Sequence, residues 1–417
     1  MKPSRLNFFV CFSGLFFIAA VQKFDCSVFA AEVLPGVEVL IRDHAKELVG
    51  KRVGILTNPT GVDRNLSSTI DLVRALPGVN VVRLFAPEHG VRGGFYAGEK
   101  VDESRDPVSG LPIASLYGKA RRPTTEMLSG LDIVLYDIQD VGVRHYTFVS
   151  TLTYMMEECE KAGVAVWVLD RPEPMGGMIV GGPVMEESHL TFIGVHTVPT
   201  VYGMTPGEWA KMIKAERTPK LELRVIPLKG WKRGMNFGDL GWSWVSPSQH
   251  IPHWQTSFFY AITGDLGELG GLNVGVGTPL PFEQIGAPGV DGVKLAAAMN
   301  ALKLPGVQFR AATFTPKYNA YQGQACQGIQ IHIRDYSKVD PMQINFELMS
   351  VVPKVAPQLN LFRKRKGEEY DMFSASVGDT KLLSMLADSG DPHTQSERLK
   401  ANIQSFLTRR QKYLIYP

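Results

Sequence analysis

The feature that most constrains this chain is a regular alternation of short apolar runs with amphipathic stretches, from about Val33 to Pro227. The runs Val53 to Leu56, Val79 to Phe85, Ile133 to Tyr136, Val164 to Leu169 and Leu223 to Ile226 read as strands. Between them, Ser67 to Leu76, Thr124 to Ser129, Thr151 to Ala162 and Thr205 to Ala215 carry helical spacing, and Thr205-Pro206-Gly207-Glu208 has the form of a capped helix start. Parallel strands need a long crossover, usually a helix, so this order predicts an α/β fold with a doubly wound parallel sheet.

Beyond about Ser257 the texture changes. Eight glycines fall between Gly264 and Gly289, with Pro279, Pro281 and Pro288 among them, and the stretch reads as an interdomain or cleft-lining loop. A helix (Val293 to Leu302), two strands (Val307 to Thr313 and Gly328 to Arg334), a short helix (Phe346 to Val352) and a final helix (Ser396 to Tyr413) follow. They predict a smaller C-terminal α/β domain with its own core, 259–417, after a first domain of 32–258.

Residues 1–31 form a secretory signal pattern: Lys2 and Arg5 precede an apolar run from Leu6 to Val21, and Ser27-Val28-Phe29-Ala30-Ala31 supplies small residues for cleavage after Ala30 or Ala31. The run is shorter than the roughly 20 residues of a spanning helix, so no stable membrane insertion is expected after cleavage. The expected location is periplasmic or extracellular. Cys11 and Cys26 leave with the signal, and Cys159 and Cys326 are too few for a disulfide scaffold; Cys159, in a helical pattern, reads as a buried small hydrophobe. With 44 Lys plus Arg against 41 Asp plus Glu, the formal charge of +3 gives no general attraction to nucleic acid.

In an open parallel sheet, ligands lie beyond the carboxyl ends of the strands. The residues there are polar: Thr57-Asn58-Pro59-Thr60-Gly61, Ala86-Pro87-Glu88-His89-Gly90, Asp137-Ile138-Gln139-Asp140 and Asp170-Arg171-Pro172. Asn, Asp and Pro are also common turn formers, which accounts equally well for Asn58 and Asp170. Glu88 has no turn-forming advantage, so a chemical role is favoured for it. His89 is as easily a hydrogen-bonded structural residue as a proton carrier. The glycine-rich segment that begins at Gly90 and runs toward Tyr117 reads as a lid or binding loop. Gly142-Val143-Arg144-His145-Tyr146-Thr147 brings a cation and an aromatic to the same edge. The first strand lacks Gly-x-Gly-x-x-Gly, the chain lacks Gly-x-Ser-x-Gly, and the nine histidines lack ligand spacing. A nicotinamide cofactor, a serine nucleophile and a metal centre are therefore disfavoured, and acid/base chemistry by carboxylates without a cofactor remains.

The blocks Leu56-Thr57-Asn58-Pro59-Thr60-Gly61, Phe85-Ala86-Pro87-Glu88-His89-Gly90-Val91-Arg92-Gly93, Leu116-Tyr117-Gly118, Arg122-Pro123-Thr124, Tyr136-Asp137-Ile138-Gln139-Asp140-Val141-Gly142-Val143-Arg144 and Leu169-Asp170-Arg171-Pro172 together resemble one family, the exo-β-N-acetylmuramidases of the NamZ type. The likeness continues through Gly203-Met204-Thr205, Lys229-Gly230-Trp231, Ser246-Pro247-Ser248, Leu272-Asn273-Val274 and Phe314-Thr315-Pro316 to Tyr413-Leu414-Ile415-Tyr416. The resemblance implies a glycoside hydrolase that releases terminal N-acetylmuramic acid from the non-reducing end of peptidoglycan fragments. It also implies a Rossmann-like domain, a smaller domain and a site in the cleft between them.

Carried over by motif, Glu88 is the leading catalytic carboxylate, with His89, Asn58, Arg92, Asp137, Asp140, Arg144, Tyr146 and Asp170 around it, and Asn273 and Thr278 are counted as substrate-binding positions. Glycoside cleavage commonly uses two carboxyl groups, so Glu88 as acid with Asp137 or Asp140 as partner is the first assignment; the substrate's acetamido group could replace the second carboxylate. Strand tips one or two strands apart place carboxylates at about 5 to 10 Å, which spans retention and inversion. The lactyl carboxylate of muramic acid calls for a cation, for which Arg92, Arg144 and Arg171 are candidates. The chain departs from the family at Gly275-Val276-Gly277, where the family commonly has an Arg between the glycines, and at Ser248-Gln249-His250-Ile251-Pro252, where it tends to have an Asn. These departures keep two alternatives in view, a non-catalytic peptidoglycan-fragment binding protein and a hydrolase of a related hexosaminide. An acid catalyst would need Glu88 buried beside a second carboxylate, and a binding protein would not.

Overall fold

A computed structural model describes residues 32–93, 104–118, 120–362, 368–388 and 390–417. The expected signal segment, with Cys11 and Cys26, lies outside the described residues. The first lobe holds β1 (Arg52–Thr57), β2 (Asn80–Ala86), β3 (Ser104–Arg105), β4 (Pro112–Ser115), β5 (Ile133–Asp137), β6 (Ala165–Leu169) and β7 (Leu223–Ile226). They form one sheet in the order β3-β4-β2-β1-β5-β6-β7. Every neighbouring pair is parallel except β3 with β4. Apart from the short β3, the order winds outward in both directions from β1, so the topological switch lies between β1 and β5, as a doubly wound sheet requires. Both faces are covered, by α1 (Gly36–Val39) and α2 (Thr69–Arg74) on one side and by α4 (Phe148–Ala162) and α5 (Pro206–Glu216) on the other. That is why all five residues of β5 and of β6 are buried, and why Ile133 to Tyr136 and the whole of β6 read as unbroken apolar runs. A single turn, α3 (Thr125–Leu128), precedes β5. The capping box expected at Thr205 and Glu208 is present, with Pro206 in the first turn of α5.

Two elements of this lobe have no clear pattern in the sequence. β4 is a four-residue edge strand that opens on a proline and pairs with β2 through only three residues, and β3 adds two residues beyond it. Both lie in the stretch after Gly90 that reads as one loop.

The second lobe is built on a three-stranded antiparallel sheet, β8 (Gln284–Ala287), β9 (Val307–Phe314) and β10 (Cys326–Ile333), with β10 in the middle. Helices α6 (Thr256–Gly267), α7 (Gly292–Ala301), α8 (Pro341–Val355), α9 (Glu368–Val377), α10 (Thr380–Ala387) and α11 (Ser396–Arg410) accompany it. Instead of the separate core expected from sequence, one apolar cluster runs from Val134, Val166 and Val168 of the large sheet through Phe258 and Ile262 of α6 to Ile285, Ile329 and Ile331 of the small one.

The glycine-rich stretch proves to be partly regular. α6 is buried on nearly every side and so lacks an amphipathic period. Its glycines mark close packing: a β-carbon on Gly264 would come within 3.1 Å of the His145 ring, and one on Gly267 within 2.8 Å of Val274. Gly286 lies against the Gln327 carbonyl in the same way, at 2.4 Å from where a β-carbon would stand. Cys159 and Cys326 are both buried free thiols, and burial pushes both up in pKa. No helix among the described residues is long and apolar enough to cross a membrane.

Candidate active site

The strand tips do bring carboxylates, an imidazole and guanidinium groups to one edge, but most of these groups bind one another. After β1, the Asn58 side-chain oxygen accepts from the Thr60 amide at 2.9 Å and from its hydroxyl, while Asn58 Nδ2 is buried without a partner among the described residues. The Thr60 hydroxyl in turn accepts from the Gln139 amide at 2.8 Å, which ties the tip of β1 to that of β5. Asp137, opposite Thr57 in the register, receives two N–H bonds from Arg171 at 2.6 and 2.9 Å and a third bond from the Thr69 hydroxyl. Arg171 also donates to the Val62 carbonyl. Asp170 accepts from the amides of Arg171 and Gly207 and from the hydroxyls of Thr205 and Tyr416. Burial pushes its carboxyl up to about 7, against the pull of the Tyr416, Gly207 and Thr205 donors.

Arg144 is 1% exposed and spans the two lobes. Its guanidinium donates to the carbonyls of Pro183, Val198, Ser376 and Val377, and burial pushes it down to about 9. Arg92 pairs through two bonds of 2.9 Å with Asp106, bracketing the segment between them. Asn273 holds the Val276 and Ala320 carbonyls and the Gly275 amide, and Thr278 closes the same turn. Asp137, Asp170, Arg171, Arg144, Arg92, Asn273 and Thr278 therefore use their polar groups within the protein, where the sequence pattern had them facing a substrate. Val276, standing where the family has its Arg, is 6% exposed and part of the core.

Asp140 is 3% exposed and accepts from the amides of Val141 and Gly142 and from the Tyr202 hydroxyl. Burial raises its carboxyl to about 6. Glu173, which the sequence did not single out, lies beside it; burial and then the charge of Asp140 push it well above the ordinary carboxylate range. A β-carbon on Gly142 would stand 2.2 Å from the Glu173 oxygens, so glycine is required there by space as well as by its φ of 76°.

Glu88 is different: it keeps part of its surface exposed. It occupies a tight turn closed by the Gly90 amide on the Pro87 carbonyl at 3.0 Å, and the next residue, His89, is in the left-handed region at φ 69°. A non-glycine residue held there is strained, and such strain collects at functional turns. Thr147, the residue before α4, donates its hydroxyl to Glu88 Oε2 at 2.7 Å. The Tyr117 hydroxyl also bonds Glu88; burial and the neighbouring carboxylate push that phenol up to about 12. His89 presents its ring edge-on to Phe148 at 6.5 Å. Tyr146 packs between Phe148 and Tyr260, its hydroxyl toward Ser248. Across from His89 lies His250, whose imidazole is pushed down by burial and by His89, and which bonds the Tyr318 hydroxyl at 3.0 Å.

The site therefore has one wall from the tips of β2 and α4 and another from Ser248, His250 and Tyr318. Sequence reading missed Tyr117, Thr147 and Tyr318 as contributors, although Tyr117 and Thr147 stand in segments already singled out. The crevice at the β1/β5 switch, lined by Thr60, Gln139, Arg171 and Trp244, has room for only about 20 Å³ and cannot take a sugar ring. Among the described residues no cluster of His, Cys, Asp and Glu could hold a metal ion.

Neighbouring His145 has both ring nitrogens buried without partners, and burial, then the Arg144 charge, pushes it down to about 3. Below about pH 6.5 the unfolded chain protonates first, so this residue costs stability as pH falls toward 3, by about 1.4 kcal/mol per pH unit. His145→Phe removes that slope. Denaturant midpoints at pH 7.5 and 5.5 should show the variant gaining on the wild type at the lower pH, and an equal difference at both would contradict it.

A doubly wound sheet that presents a hydrogen-bonded, partly exposed glutamate at a strand tip has the form of a site for acid/base chemistry. The chain belongs to the exo-β-N-acetylmuramidase NamZ family, whose N-terminal model matches residues 53–255 and whose C-terminal model matches residues 258–416. It is thus a glycoside hydrolase. It is 38% identical over 385 residues, 92% of each chain, to the peptidoglycan β-N-acetylmuramidase NamZ of Bacillus subtilis (strain 168). A crystal structure of a DUF1343 family protein from Bacteroides fragilis NCTC 9343 superposes with a TM-score of 0.87 at 39% identity, covering 93% of this chain and 99% of that one. A second DUF1343 protein from the same organism gives 0.72 at 26% identity, with the same coverage.

Proposed function

We propose that this protein is an exported exo-β-N-acetylmuramidase that removes terminal N-acetylmuramic acid from the non-reducing end of peptidoglycan fragments, with Glu88 as the proton-transferring carboxyl. The observation that carries this reading is the contrast among the strand-tip acids. Asp137, Asp140 and Asp170 are all 3% exposed or less and held by internal donors, whereas Glu88 keeps accessible surface and is aimed by Thr147 and Tyr117. A protonated Glu88 would give its proton to the leaving glycosidic oxygen, and the resulting carboxylate would take one from the attacking water. Asp140, 3% exposed, lies too deep to touch a sugar.

In this reading the division near residue 258 separates a catalytic lobe from a lobe that lines the cleft, and residues 1–31 direct export to the periplasm or beyond. Mature protein should release chromophore from a chromogenic β-N-acetylmuraminide and act far more slowly on the matching β-N-acetylglucosaminide. Preference for the glucosaminide would point to a related hexosaminidase, and turnover of neither to a binding protein.

A further inference from the structure

A muramic acid residue differs from a glucosamine residue by a lactyl ether that ends in a carboxylate. A site that distinguishes the two needs a cation with donors to spare, in a fork that matches a carboxylate. Arg144 and Arg171 do not meet that need, because four backbone carbonyls and Asp137 respectively hold them in the interior, and Arg92 has its Nε/Nη2 fork committed to Asp106. Nor does the glycine loop, where Val276 is in the core.

Arg121 does meet it. Its guanidinium carbon lies 4.6 Å from the centre of the Phe192 ring and 5.9 Å from that of Tyr117, on a shelf formed by two rings whose centres are 6.3 Å apart. The side chain is exposed and has no hydrogen bond or ion pair among the described residues. The adjacent Arg122 shows the contrast: it is paired with Glu157 and Glu158 and lies 3.7 Å over the Tyr154 ring. Stacking orients the guanidinium of Arg121 without using its N–H donors. Tyr117 connects this cation to the chemistry, since its hydroxyl bonds Glu88 while its ring supports Arg121.

We infer that Arg121, seated on Tyr117 and Phe192, is a carboxylate subsite that takes the lactyl carboxylate of the sugar whose glycosidic oxygen faces Glu88. The inference rests on the substrate class proposed above. It makes Arg121 a specificity residue for the muramyl sugar, with no part in proton transfer.

The test measures binding and turnover separately. By titration calorimetry, Arg121→Gln should bind N-acetylmuramic acid roughly 10- to 100-fold more weakly than the wild type, the loss expected for a charge-assisted hydrogen-bond pair. Its affinity for N-acetylglucosamine should be unchanged. Arg121→Lys should recover only part of the loss, because an ammonium cannot reproduce the fork. In turnover, kcat/KM should fall on the muraminide and hold on a muraminide whose lactyl group is the neutral amide. Equal affinity of wild type and Arg121→Gln for N-acetylmuramic acid would overturn the inference, as would an equal loss for both sugars, which would mark a collapsed aromatic shelf. If the wild type cleaves neither glycoside, the activity reading fails while the binding difference alone still decides the subsite.

Discussion

Glu88→Gln should lower kcat on a chromogenic β-N-acetylmuraminide by roughly 10²- to 10⁴-fold, the range expected when a positioned general acid/base is removed. KM should change little. The substitution is isosteric, and its side-chain oxygen can still accept from Thr147, which donates at 2.7 Å in the wild type, so the melting temperature should hold within a degree or two. The loss should therefore be chemical, and single-turnover kinetics on folded protein would show it directly. A variant retaining a tenth or more of wild-type kcat would remove Glu88 from the reaction.

Asp137→Ala should produce the opposite pattern. The ion pair with Arg171 is buried on both sides, and removing one partner strands a guanidinium in the interior, at a cost of about 3–5 kcal/mol. The Thr69 hydroxyl loses its acceptor as well. Denaturant unfolding should show that loss, while the fraction that remains folded should turn over within about tenfold of wild type. A stable but inactive Asp137→Ala protein would restore Asp137 to the chemistry and displace the acetamido group as the candidate for the second role. The two variants together separate the acid that acts on substrate from the acid that holds the sheet edge together.

Much of the fold was legible because buried parallel strands must be apolar on both faces and the helices between them must cover those faces. The five strands expected in the first lobe all form, each within about a residue or two of the expected bounds. What was not legible was the edge, where β3 and β4 are too short to leave a pattern, and, in the second lobe, α6, whose last turn falls in the glycine-rich stretch read as a loop, together with β8, α9 and α10, for which the sequence reading gave no element.

At the site, the tips that matter could be found from sequence, but the pairing among their residues could not. Asp137 and Arg171 stand 34 positions apart, and nothing local says that they satisfy each other. The same holds for Arg144, whose acceptors Ser376 and Val377 are more than 230 residues away. Composition at a strand tip shows which groups are available. Only the folded chain shows which of them still face outward.

Tyr416 adds a consequence for truncation of the chain. Its hydroxyl reaches back 246 residues to Asp170 and also accepts from the Leu228 amide, while the Ile415 amide donates to Glu208. A chain cut before residue 416 leaves the Asp170 carboxyl short of a donor at the end of β6. The last two residues before the terminal proline thus act as a clasp on the tips of β6 and α5, and cutting them away should loosen the sheet edge from a point remote from Glu88.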